Sequence, residues 1–221
     1  IDVTPFSLQE VAITQPLWLR GGFPVSYLAA TEEESFAWRE AYLRTFLERD
    51  IPALGFNIPA PQMRRFWMML THYHGQTLNT HEIARSLALS DYMITKYLDI
   101  LVGTFMMRSL QPWIENISKR QVKAPKVYVR DSGILHALLN VRTLEELAMH
   151  PRLGAFWEGF ALEEIIRYHK ANDEECFFWA TQAGGELDLL LHRGGKRIGF
   201  EFKYNDAPKL TKSMHLACED L

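Results

Sequence analysis

Apolar positions in the first part of the chain recur every three to four residues, the spacing of one helix face. In "TEEESFAWREAYLRTFLERDI" (31–51), Phe36, Tyr42, Leu43, Phe46 and Leu47 form such a stripe. Thr31 is placed to cap it, and Glu32, Glu33 and Glu34 suit the positive end of the helix dipole. A Gly/Pro loop, "RGGFP" (20–24), precedes it. Further on, "QMRRFWMMLTHYHG" predicts a helix stopped at Gly75. "NTHEIARSLAL" predicts a second, capped by Asn79 or Thr80. "SDYMITKYLDILV" predicts a third, capped by Ser90, with Ile94, Tyr97, Leu98 and Leu101 buried. The pattern then shortens to strands, "FMMRSLQPW" and "APKVYVRD", around the basic "ENISKRQVK". Two short helices with a tight turn, followed by two strands, read as a winged helix-turn-helix.

The final third begins with an aromatic-rich helix, "HPRLGAFWEGFALEEIIRYHK" (150–170), where Glu158 shares a stripe with Leu162 and Ile165. A strand, "CFFWA" (176–180), leads into "GELDLLLHRGGKRIGFEFKYN" (185–205), which reads as a hairpin turning at "HRGG". Strand alternation puts Leu187, Leu189 and Leu191 on one face and Glu186 and Asp188 on the other. In the second strand it puts Ile198, Phe200, Phe202 and Tyr204 together, opposite Glu201 and Lys203. The whole is an α/β (α+β) chain of three parts: a helical segment over 1–60, a winged helix over 61–148 and a small α/β domain over 149–221.

Composition narrows this picture. The 221 residues are 48% hydrophobic, enough for a substantial core, and the net charge of −3 does not suggest a chain that binds polyanions along its whole length. Residues 71–150 alone are basic, with 9 Lys/Arg against 7 Asp/Glu, whereas 151–221 hold 9 against 12. The two cysteines offer no disulfide framework, which points to a reducing, cytoplasmic setting. No apolar run is long enough to span a membrane, and "IDVTPFSLQE" does not read as a signal peptide.

Candidate nucleic-acid contacts are Lys96 on the third helix and Lys119, Arg120, Lys123 and Lys126 around the wing. The helix itself is poor in cations for a DNA reader, since Asp91 and Asp99 flank Lys96. The carboxylates of the last third suggest another chemistry. Asp188 and Glu201, on neighbouring strands, could seat Mg2+ or Mn2+, with the Phe202 carbonyl as a third oxygen ligand. Lys203 would steady charge growing on a phosphate, and Glu158 would complete the site from the helix. The competing reading is a solvated face with a surface Glu201–Lys203 pair. His72 and His74 read as surface or core histidines.

A helix Glu, a strand Asp and a following Glu-x-Lys resemble the PD-(D/E)xK nuclease superfamily, which includes restriction endonucleases and Holliday junction resolvases. The whole chain is similar to the C-terminal half of a prokaryotic family of predicted AAA+ superfamily ATPases that carry a C-terminal domain of unknown function. The matching motifs are "LRGGFP" (19–24), "YLRTFLERDI" (42–51), "LNTHEIARSLALSDYMITKYLDIL" (78–101), "NISKRQVKAPKVYVRDSGI" (116–134), "GAFWEGFALEEI" (154–165) and "GELDLLL…FEFK". The resemblance implies an AAA+ lid-like segment, then the winged helix, then a restriction-endonuclease-like domain that is C-terminally incomplete. It implies Glu158, Asp188, Glu201 and Lys203 as catalytic residues, with Asp188 and Glu201 as metal ligands. It also implies a preceding N-terminal ATPase domain as partner, DNA as a candidate partner, and room for an oligomer. The chain itself lacks a P-loop. "GGKR" (194–197) has Leu190 where the first glycine belongs and Arg197 where Ser or Thr must meet Mg2+. ATP is therefore expected only through the N-terminal domain. The functions expected are a metal-dependent nuclease-like site or, alternatively, a catalytically silent DNA- or protein-binding regulatory module.

Overall fold

A computed structural model describes residues 4–11, 13–114, 122–181, 184–207 and 209–221. Helices α1 (Thr14–Arg20), α2 (Pro24–Tyr27) and α3 (Glu32–Thr45) come first. The Thr31 side chain accepts the Glu34 N–H, so the predicted cap is in place. A π-helical turn (Phe46–Asp50) runs into the short α4 (Ile51–Ala53). Next come α5 (Ala60–His72), β1 (Gln76–Thr77), α6 (Thr80–Leu87) and α7 (Asp91–Gly103). Asn79 and Ser90 cap α6 and α7, accepting the N–H groups of Glu82 and Met93. The strands β2 (Met107–Pro112) and β3 (Lys126–Val129) follow, then α8 (Ser132–Leu138), α9 (Leu144–Ala148) and α10 (Leu153–His169). The chain closes with β4 (Cys176–Ala180), β5 (Glu186–Arg193), β6 (Lys196–Phe200) and α11 (Lys212–Asp220).

The fold is mixed α and β, as the periodicities predict. The five strands expected for the wing and for the C-terminal domain, joined by the unforeseen β1, form one six-stranded sheet, in the order β1-β3-β2-β4-β5-β6. The junction is parallel: Gln111 and Pro112 of β2 pair with Phe177 and Phe178 of β4. On one face Leu162 and Ile166 of α10 pack on Tyr128, Phe178, Leu189 and Leu191. On the other, Ala217 of α11 packs with Trp179, Leu187 and Leu190. The large helical core gathers Leu17, Leu43, Phe66, Trp67, Ile94 and Phe156, among others, from α1 through α10.

Leucine alternation in β5 departs from expectation. Phe177 pairs with Leu190 but Trp179 pairs with Leu187, so Asp188 and Leu189 together oppose the single residue Phe178. This β-bulge reverses the parity of everything before it. Leu187 therefore joins Leu190 on the α11 face instead of sharing a face with Leu189 and Leu191. The last strand also ends earlier than predicted, at Phe200. Beyond it the Phe202 N–H donates to the Asp188 carboxylate at 2.9 Å, and 201–204 have no regular structure.

Two of the quoted motifs lock together. The Asp131 carboxylate accepts the N–H groups of Gly22 (2.8 Å) and Ile134 (2.9 Å). The buried Arg39 guanidinium donates to the carbonyls of Leu19 and Gly133. At Gly133 an added Cβ would lie 2.0 Å from the Arg20 carbonyl oxygen, so only glycine lets the two backbones meet. Gly133→Ala is expected to lower stability by about 3 kcal/mol, read as a drop in the urea midpoint, because backbone rather than a side chain must move. A midpoint within error of the parent would show that the 19–22 and 131–134 segments are not rigidly docked.

Candidate functional site

The centre of the site is an ammonium that the sequence places elsewhere. Lys126, expected at the basic wing, starts β3 and is 3% exposed. Period two along β3 turns it to the same side as Tyr128, away from solvent. Its Nζ contacts Glu186 and lies 3.6 Å from both Glu158 Oε1 and Asp188 Oδ1. The ammonium also sits 5.6 Å from the centre of the Phe178 ring. Lys126 is therefore not a DNA contact.

Each carboxylate arrives from a different constraint. Glu158 comes from α10 and accepts the Tyr128 hydroxyl at 2.7 Å. Asp188 is one of the two residues of the β5 bulge, where a bulge re-aims a side chain. It is 4% exposed and holds the Phe202 N–H. Glu201 follows directly on β6, and Lys203 pairs with its Oε1 at 2.7 Å. The Glu201 side chain is 7% exposed, and its Oε2 is buried without a hydrogen-bond partner.

Burial dominates the electrostatics. It pushes the Glu158 carboxyl up to about 7, a rise that Lys126 opposes and Asp188 reinforces. It also raises Glu201, against the pull of its Lys203 hydrogen bond, with Asp188 and Glu186 adding to the rise. Burial would lower Lys126, but Glu158, Glu186 and Asp188 overcome it and hold the ammonium above its ordinary value. Lys203 is raised in the same way by Glu201 and Asp188.

The structure thus brings Glu158, Asp188, Glu201 and Lys203 into one electrostatic neighbourhood, with the helix and hairpin contributions foreseen from sequence. It adds Lys126, Tyr128 and Glu186. The signal for the first two was a lysine opening an otherwise apolar strand, with a tyrosine two residues on. Among the described residues, no group of three or more His, Cys, Asp or Glu is gathered as a metal-ligand set. With the Lys126 ammonium among the carboxylates, the donor set as arranged does not fit an added Mg2+ or Mn2+.

Two of the remaining nucleic-acid candidates lie among the described residues. Lys96 on α7 and Lys123 before β3 are exposed. Lys119 and Arg120 lie outside the described residues. His74 is a core histidine: its Nδ1 accepts the Val129 N–H at 3.0 Å. Among the described residues no helix is long and apolar enough to cross a membrane.

Comparison with known proteins adds the following. An uncharacterized protein of Mycobacterium tuberculosis and one of Mycobacterium bovis are each 46% identical to the chain over 223 residues. The match covers 100% of this chain and 50% of each relative, so the chain spans about half the length of the curated relatives it matches. No solved structure matches. Residues 153–221 match the family described as "Domain of unknown function (DUF4143)", which begins at α10 and contains Glu158, Asp188, Glu201 and Lys203. The larger match, residues 13–145, spans α1 to α8 with β1–β3, including Lys126, and through it the chain belongs to the family described as "Domain of unknown function (DUF8612)".

Proposed function

We propose that this chain is the C-terminal region of an AAA+ superfamily ATPase and acts there as a catalytically silent regulatory module that binds DNA or protein. The observation that carries this reading is the Lys126 ammonium among Glu158, Glu186 and Asp188, where a nuclease would need a free cation site. The ATPase part rests on the resemblance of the chain's motifs to such proteins. Support for a binding role comes from α6 and α7 followed by the antiparallel β2–β3 pair, with Lys96 and Lys123 exposed beside them.

The test belongs on the intact protein. Duplex, single-stranded and branched DNA incubated with Mg2+ or Mn2+ should be cleaved no faster than by an Asp188→Ala variant. Binding to a short duplex should weaken in Lys96→Ala/Lys123→Ala and fall with added salt. Salt-independent affinity that ignores both lysines would leave protein as the partner.

One observation favours a second reading, a metal-dependent nuclease site: the buried, unpartnered Glu201 Oε2 beside Lys203. Under that reading the intact protein cleaves DNA, and Asp188→Ala and Lys203→Ala each cost roughly 100-fold or more in rate.

A further inference from the structure

Carboxyl groups outnumber ammoniums in the cluster. Glu158, Glu186, Asp188 and Glu201 bring four carboxylates, while Lys126 and Lys203 bring two ammoniums. The Lys126 side chain is 4% exposed, so its charge is spent on the carboxylates rather than on solvent. It pairs with the carboxylates of Glu158 on α10 and of Glu186 and Asp188 on β5, a spread that a hard cation with oxygen ligands also serves. Even so, Glu201 Oε2 stays buried with no donor, a loss that nothing in the described chain makes good. The cluster is therefore built around the Lys126 ammonium, with Glu201 under-compensated at its edge.

We infer that Lys126 is the protein's own substitute for a divalent cation, closing a latent Mg2+/Mn2+ site made by Glu158, Glu186 and Asp188 with Glu201 at its edge. The inference rests on reading the cluster as silent, and deepens it. In the parent protein the tethered ammonium excludes the metal. Its backbone is fixed in β3, between the pairings to Thr77 and Leu110, and its side chain is 4% exposed, so the ammonium is anchored under the sheet's own carboxylates. Without the ammonium, Glu158, Glu186 and Asp188 keep only Lys203, which is paired with Glu201, as a nearby cation, and a divalent ion becomes a fitting partner.

Mn2+ is the probe, titrated against the full chain and followed by the electron paramagnetic resonance of free Mn2+. The parent should show no saturable site. Lys126→Met, which keeps the apolar stem, should gain one that is at least about 10-fold tighter than any in the parent. Adding Asp188→Asn to that variant should abolish it. Mn2+ should also raise the melting temperature of Lys126→Met and not of the parent. A parent that binds Mn2+ as tightly as Lys126→Met overturns the inference, as does a folded Lys126→Met that binds none. Should Lys126→Met not fold, the parent decides alone. The Lys126 ammonium resonance, observed by 15N NMR, should stay sharp in millimolar Mn2+, and its selective broadening would place metal in the cluster and overturn the inference. DNA cleavage by the parent would sink the silent reading, whereas failure of Lys126→Met to take Mn2+ sinks only the latent site.

Discussion

Acidification from pH 6.5 towards 3 is expected to unfold the protein, because two histidines are held neutral inside it. Burial lowers His74 to about 3, with Arg152 adding to the effect, and lowers His136 to about 4. Both are buried: His74 Nδ1 accepts the Val129 N–H, and His136 Nδ1 pairs with the Leu19 carbonyl at 3.0 Å. The sign follows from proton counting. Below 6.5 the unfolded chain protonates these rings and the folded one does not, so falling pH favours unfolding. The stability is complete above 6.5 and is lost as pH falls through the folded values, on the order of 3–5 kcal/mol for each ring. Glu158 acts the other way. Raised to about 7, it keeps a proton that the unfolded chain gives up above 4.5, so it stabilises as pH falls from 7 to 4.5. Glu163, lowered to about 2 chiefly by Arg108 against its burial, reinforces the histidines below 4.5. The steepest loss therefore falls below pH 4.5. Urea midpoints measured from pH 7 to 3.5 should show this curve, and His74→Asn/His136→Asn, which can keep both hydrogen bonds, should flatten it. An unchanged slope in the double variant would mean the rings are not held neutral.

Arg108→Ala is expected to cost about 3–5 kcal/mol. The guanidinium comes from β2, is 3% exposed, and grips Glu163 of α10 at 2.5 and 3.1 Å and Asp173 at 2.5 Å. Removing it leaves Glu163, itself 1% exposed, facing Arg130 at 3.5 Å as its nearest remaining cation. The cost comes from stranding a charge more than from losing an attraction, so Arg108→Met with Glu163→Leu should recover most of the loss. Urea unfolding of the three variants checks this. A single variant as stable as the parent would show that water reaches Glu163.

The two halves of the site differ in how far the sequence disclosed them. Thr31, Asn79 and Ser90 announced their helices because capping is local chemistry, settled within four residues. That Glu158, Asp188, Glu201 and Lys203 lie near one another was expected from strand alternation and from their resemblance to a known pattern. Lys126 was not. It is four residues from Arg130 and three from Lys123, and a basic run reads as a solvated tip until long-range pairing buries part of it. The bulge at Asp188 and Leu189 was hidden for the same reason. An inserted residue shows only against the partner strand, and "ELDLLL" alternates acceptably in either register. The end of β6 at Phe200 depends on Asp188 taking the Phe202 N–H, a contact 14 residues apart in sequence.

The parallel joint between β2 and β4 bears on how this chain can be dissected. Family boundaries fall between 145 and 153, and they invite a cut there. Such a cut would bare the β4 edge of one piece and the β2 edge of the other, each with unmet backbone donors and acceptors. It would also part Lys126 from its carboxylates and Arg108 from Glu163, leaving like charges buried on one side. The sticky edges and stranded carboxylates make each piece a candidate for aggregation rather than a free-standing module. The unit that can be inherited, expressed or transplanted intact is the one that keeps the six strands together.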